Sequence, residues 1–104
     1  ILTRAGFDIL TCAHGAEGLQ MIYDCKPDLA LLDDMLPGMS GGDICLTIKN
    51  DPGIQHMPVV LYSAGPRVRD GEFIRRIGAD AVLFKPFRPV DVVTTITNCL
   101  SASV

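Results

Sequence analysis

A chain of 104 residues suits one domain with a single core, and 48% hydrophobic against 20% charged residues make it globular rather than disordered. Its net charge of -3, with lysines and arginines scattered, provides no basic footprint for nucleic acid or for a membrane surface. No apolar run approaches the roughly 20 residues of a spanning helix and no secretory leader opens the chain, so the sequence reads as soluble and cytoplasmic.

The cysteines Cys12, Cys25, Cys45 and Cys99 are far apart, form no Cys-x-x-Cys, and have only His14 and His56 beside them. That spacing disfavours zinc and reads as free thiols used as small hydrophobes in a reducing compartment.

Taken in order, residues 1–5 read as the last turn of a helix stopped by Gly6. Asp8 to Ala13 is partly β-branched and predicts a strand. Over residues 16–25, Ala16, Leu19, Ile22 and Cys25 recur at helical spacing with polar residues between them, and Pro27 bars continuation. Residues 28–33 carry the unbroken apolar run Leu29-Ala30-Leu31-Leu32, the pattern of a strand covered on both faces. Ser40 followed by Asp43 resembles a helix N-cap, and Ile44, Cys45 and Ile48 mark the inner stripe of a helix ending near Asn50.

Asp51-Pro52-Gly53 is turn chemistry, and a second apolar run, Val59-Val60-Leu61-Tyr62, ends at Ser63. A helix is expected over 67–77 around Phe73, Ile74 and Ile77, with Gly71 inside it costing about 1 kcal/mol relative to Ala. A third run, Ala81-Val82-Leu83-Phe84, ends at Lys85-Pro86, and Pro89 suits the first turn of a last helix faced by Val92, Val93, Ile96, Cys99 and Leu100. Alternating strands and helices predict an α/β domain, a parallel sheet with helices on both sides, spanning 1–104 with no internal repeat or linker.

Three apolar runs thus end in Asp33, Ser63 and Lys85. Parallel strands place their carboxyl ends at one edge, so these groups can converge. A carboxylate can take a phosphoryl group as a nucleophile, an ammonium can stabilise its oxygens, and a hydroxyl can donate one more hydrogen bond.

In these residues the chain resembles the receiver domains of two-component response regulators. Leu-Leu-Asp-Asp-Met-Leu-Pro-Gly-Met-Ser-Gly is similar to the phosphoacceptor loop, Pro-Val-Val-Leu-Tyr-Ser-Ala to the fourth strand with its switch hydroxyl, and Gly-Ala-Asp-Ala-Val-Leu-Phe-Lys-Pro-Phe to the fifth strand with its lysine. The resemblance implies a flavodoxin-like three-layer sandwich, not an enzyme but a signalling domain phosphorylated on Asp33 by a histidine kinase or a histidine phosphotransfer protein. It implies that Ser63 and Lys85 bind the phosphoryl group, that Asp33 and the Met35 backbone carbonyl serve Mg2+, and that Lys85-Pro86 is cis. Asp34 is expected to be a solvated bystander, its service to the metal a weaker alternative, and Tyr62 and Phe84 to be packing residues.

The departures from the family are expectations too. The family's first strand, which carries a pair of Mg2+-holding acids, and most of its first helix have no counterpart, which reads as N-terminal truncation. In the family's strand order the missing strand lies between the strands at 8–13 and 28–33. Its loss is expected to leave a gap of roughly 10 Å with two unpaired edges open to dimerisation or strand exchange, or to let the second strand close onto the third. Val82 stands where relatives often carry an aromatic switch residue. The alternative function is therefore a degenerate receiver that acts as a phosphorylation-independent interaction module. A flavin- or nucleotide-binding enzyme is disfavoured because no Gly-rich phosphate loop follows any strand.

Overall fold

The computed structural model describes residues 8–11, 14–63, 65, 70–85 and 88–102. Elements alternate as β1 (Ile9–Thr11), α1 (Gly15–Cys25), β2 (Leu29–Asp33), α2 (Gly41–Lys49), β3 (Val59–Ser63), α3 (Gly71–Ile77), β4 (Ala81–Phe84) and α4 (Pro89–Ala102). All strand pairs are parallel, in the order β1-β2-β3-β4. The helix expected over residues 1–5, Cys12 and the Lys85-Pro86 bond's proline lie outside the described residues.

Strand alternation divides the core into two layers. Leu10, Ala30, Leu32, Val59 and Leu61 face one way and pack with Ile22 of α1, Ile44, Cys45 and Ile48 of α2, and Phe73 and Ile77 of α3. Ile9, Leu29, Val60 and Leu83 face the other way, against Ile96 and Leu100 of α4. Burial on both faces explains the unbroken apolar runs, and the helix-sheet-helix layering is the flavodoxin-like architecture expected.

One expectation is corrected and its stated alternative holds. No gap separates β1 from β2: Ile9, Leu10 and Thr11 pair directly with Leu29, Ala30 and Leu31. The Asp28 N-H donates to Asp8 O at 2.8 Å and the Asp8 N-H to Asp28 Oδ2 at 2.7 Å, stapling the start of the ladder. Closing the ladder satisfies peptide groups that a 10 Å gap would have stranded beside apolar side chains.

The helix expected over 67–77 opens later among the described residues. Asp70 caps α3, its carboxylate accepting from the Glu72 N-H at 3.0 Å. Gly71 is therefore the first helical residue, and the interior penalty of about 1 kcal/mol does not apply there. Gly78, at φ 78, closes α3 in the left-handed conformation that a Cβ would strain. At the other end of the sheet Lys49 ties α2 to its neighbours. Its ammonium donates to Met57 O at 2.9 Å, to Gln55 O at 3.3 Å and to Asp80 Oδ2 at 2.8 Å, while Asp80 Oδ2 also takes the Val59 N-H at 2.7 Å.

Candidate functional site

Strand register brings the sequence-predicted groups together. Asp33 is the last residue of β2 and pairs with Tyr62, the residue before Ser63. Ser63 pairs with Phe84, and the Lys85 N-H donates to Ser63 O at 3.1 Å, so Lys85 leaves β4 at the same edge. Its Nζ lies 3.1 Å from Asp33 Oδ2, a contact between residues 52 apart in the chain.

Asp33 uses its other oxygen locally. Oδ1 accepts the Met35 N-H at 2.9 Å, an Asx-type turn that starts the loop after β2. The Asp33 side chain is 22% exposed and that of Lys85 41%, so the pair is reachable from solvent and its Coulomb energy is partly screened. Lys85 Nζ also stands 5.0 Å from the centroid of the Tyr62 ring, within cation-π range. Tyr62 packs against the α4 side of the core as expected, yet it also faces the ammonium. Its place opposite Asp33 in register was the signal for that second contact.

Ser63 is 1% exposed, and its Oγ accepts the Gly65 N-H at 3.0 Å. Met35 is 70% exposed, and its side chain lies near the space above Gly65. The Pro37-Gly38 turn follows, with Gly38 at φ 80. Both the Met39 N-H, at 3.0 Å, and the Gly15 N-H, at 3.1 Å, donate to Pro37 O. The second bond fastens the loop to the start of α1, beside exposed His14.

Asp34 requires a correction. Instead of a solvated loop carboxylate it is 6% exposed, and its Oδ1 accepts the Gly42 N-H at 3.0 Å. Its backbone carbonyl accepts the Gly41 N-H at 3.3 Å, and its own N-H donates to Tyr62 O at 3.2 Å. Ser40 Oγ takes the Asp43 N-H at 3.1 Å, which completes the first turn of α2 as the Ser40 cap predicts. Successive residues at a strand end point to opposite faces, so Asp33 meets Lys85 while Asp34 turns toward α2.

The donors present do not fit Mg2+. A small hard cation takes six oxygens in near-octahedral geometry. Among the described residues no group of three or more His, Cys, Asp or Glu side chains is placed to hold a metal. Asp33 is engaged with the Met35 N-H and with Lys85, and Asp34 with the Gly42 N-H. The described cysteines Cys25, Cys45 and Cys99 are free thiols, and burial pushes the Cys45 thiol up to about 12. No helix among the described residues is long and apolar enough to cross a membrane.

Comparison with known proteins identifies the family. Residues 1–97 match the response regulator receiver domain family. The polar-differentiation response regulator DivK of Brucella anthropi is 30% identical over 96% of this chain and 81% of its own length. The DNA-binding response regulator MtrA of Mycobacterium tuberculosis is 35% identical over 92% of this chain, which spans only 41% of that relative. A CheY-like receiver domain protein from Methanospirillum hungatei superposes with a TM-score of 0.77 at 27% identity, over 88% of this chain and 71% of its own. The receiver domain of a histidine kinase from Syntrophus aciditrophicus does so with 0.72 at 27% identity, over 86% and 67%. The chain belongs to the response regulator receiver domain family.

Proposed function

We propose that this receiver is a cytoplasmic phosphoacceptor, one domain over 1–104, that takes a phosphoryl group on Asp33 from a phosphohistidine of a histidine kinase or phosphotransfer protein. Receivers are signalling domains rather than conventional enzymes and interact with such donors. The observation that carries the reading is the 3.1 Å contact between Lys85 Nζ and Asp33 Oδ2, made by two strand ends.

An Asp33 carboxylate oxygen attacks phosphorus as the P-N bond breaks, and the bonding pair leaves with the imidazole nitrogen. An aspartyl phosphate and a free histidine result. Lys85 carries the positive charge that phosphoryl oxygens need, and it already faces the nucleophile. Ser63 supplies a hydroxyl at the same strand edge, buried at 1% exposure with its Oγ accepting the Gly65 N-H. A phosphoryl group that drew Ser63 out of that buried position would link modification to conformational change.

The experiment is phosphotransfer from a labelled phosphohistidine donor to the whole natural protein. Hydroxylamine-sensitive label that disappears in Asp33→Asn supports the reading, with Lys85→Met lowering the transfer rate. Label that persists in Asp33→Asn overturns it.

A second reading, a phosphorylation-independent interaction module, draws on Val82, which stands where relatives often carry an aromatic switch residue. It is also favoured by the groove of about 620 Å³ between α3 and β4, lined by Ile74, Val82 and Phe84. Wild-type protein that takes no label, yet binds its partner as tightly as Asp33→Asn does, selects this reading.

A further inference from the structure

The acceptor loop holds a buried carboxylate for which phosphoryl transfer has no direct use. Asp34 is 6% exposed and adjoins the nucleophile, yet it is directed to the opposite side. Elements that approach one another at the carboxyl edge of the sheet meet on this residue. Its N-H reaches the end of β3 at Tyr62 O, its carbonyl takes the Gly41 N-H, and its Oδ1 takes the Gly42 N-H. Asp34 thereby satisfies two of the N-H groups that open α2, and Ser40 satisfies a third.

The packing leaves little freedom around these bonds. A Cβ built on Gly41 would stand 2.6 Å from Asp33 O and 3.1 Å from Asp34 Cα, so α2 begins in contact with the backbone of both acids. The Asp34 N-H bonds β3 at Tyr62 O and Asp33 O lies against Gly41 of α2, so the peptide joining Asp33 to Asp34 is held between β3 and α2.

We propose that Asp34 is a positioning residue for phosphoryl transfer: by holding the Gly42 N-H through Oδ1 it fixes the peptide that aims the Asp33 carboxylate at the incoming phosphorus. The inference rests on Asp33 as acceptor. It assigns Asp34 an acceptor's role through Oδ1, which an amide in the same place also fills.

Single-turnover transfer from phosphoramidate, a small P-N phosphoryl donor, to the whole natural protein tests this. Asp34→Ala is expected to slow the rate constant about tenfold, less than the roughly 10²-fold that a 1 Å misplacement can cost. Asp34→Asn is expected to stay within about threefold of wild type, because Oδ1 remains to accept the Gly42 N-H. A residue that only stabilised the fold would lower the fraction of molecules labelled and leave the rate constant of the folded ones unchanged.

An unchanged rate constant in Asp34→Ala, or Asp34→Asn as slow as Asp34→Ala, overturns the proposal. Wild-type protein that takes no label, or label that persists in Asp33→Asn, overturns the acceptor reading and the transfer role with it. Amide exchange at Gly42 separates the two failures, since its loss of protection in Asp34→Ala reports the clamp without any phosphoryl group.

Discussion

Replacing Gly41 by alanine puts one methyl group against the backbone at the end of β2. The new Cβ would meet Asp33 O at 2.6 Å, Asp33 C at 2.9 Å and Asp34 Cα at 3.1 Å, where real Cβ contacts essentially never fall below 3.0 Å. All three atoms are backbone, so relief requires α2 or the end of β2 to shift by about 0.4 Å or more. Overpacking of this kind costs about 1–3 kcal/mol. Alanine recovers at most about 1 kcal/mol of helix propensity, and less in a first turn. The net loss should be about 1–2 kcal/mol, with each kcal/mol lowering Tm by roughly 4–8 °C in a domain of this size. Urea unfolding with an unchanged m-value measures the stability term, and single-turnover phosphotransfer measures displacement of Asp33. Gly41→Ala with wild-type stability and rate would show that the loop yields freely and would refute the clamp on which the site's geometry depends.

Lys49→Met keeps the aliphatic stem but removes the donor to Met57 O and Gln55 O and leaves the Asp80 carboxylate with the Val59 N-H in place of the ion pair. Because Asp80 is 39% exposed its charge is partly screened, and the loss should be about 2 kcal/mol in urea unfolding, with a loss under about 0.5 kcal/mol contradicting the network. Cys45, with its thiol pushed up to about 12 by burial, should resist alkylation in the folded protein at pH 9 while exposed Cys25 reacts. The folded state keeps a proton that the unfolded thiol releases near 9, so the Cys45 contribution is complete below pH 9 and is lost as pH rises through about 12. Cys45→Ala should flatten that part of the stability profile.

The continuous apolar runs announced β2, β3 and β4 because strands buried on both faces carry no polar interruption, and the residue ending each run fell at the functional edge. Convergence of Asp33 with Lys85 was legible for the same reason, since parallel topology alone aligns strand ends. The fate of Asp34 was not legible. Two adjacent acids look alike in a sequence, and only the approach of α2, set by a glycine pair, decides which one is buried. The pairing of β1 with β2 was legible only as an alternative, because Ile9-Leu10-Thr11 is too short to carry a record of its neighbour. The Asp70 cap was missed because Gly71 was read as helix interior rather than helix start.

The two acids divide the available positive charge without competing. Asp34 draws on peptide N-H groups at the start of α2, where the helix carries roughly half a positive charge. Lys85 is left to Asp33, supported from behind by the face of the Tyr62 ring. Under the proposed phosphorylation, a phosphoryl group on Asp33 would add negative charge beside Lys85. The ring imposes no single direction on the ammonium, so Lys85 can follow that charge at small cost. Its backbone cannot move alone, because the Lys85 N-H is bonded to Ser63 O at the end of β3. Any displacement of the Lys85 backbone would therefore be shared with the end of β3, the strand end that carries Ser63, so that under the proposed phosphorylation one hydrogen bond would connect the two strand ends nearest the added charge.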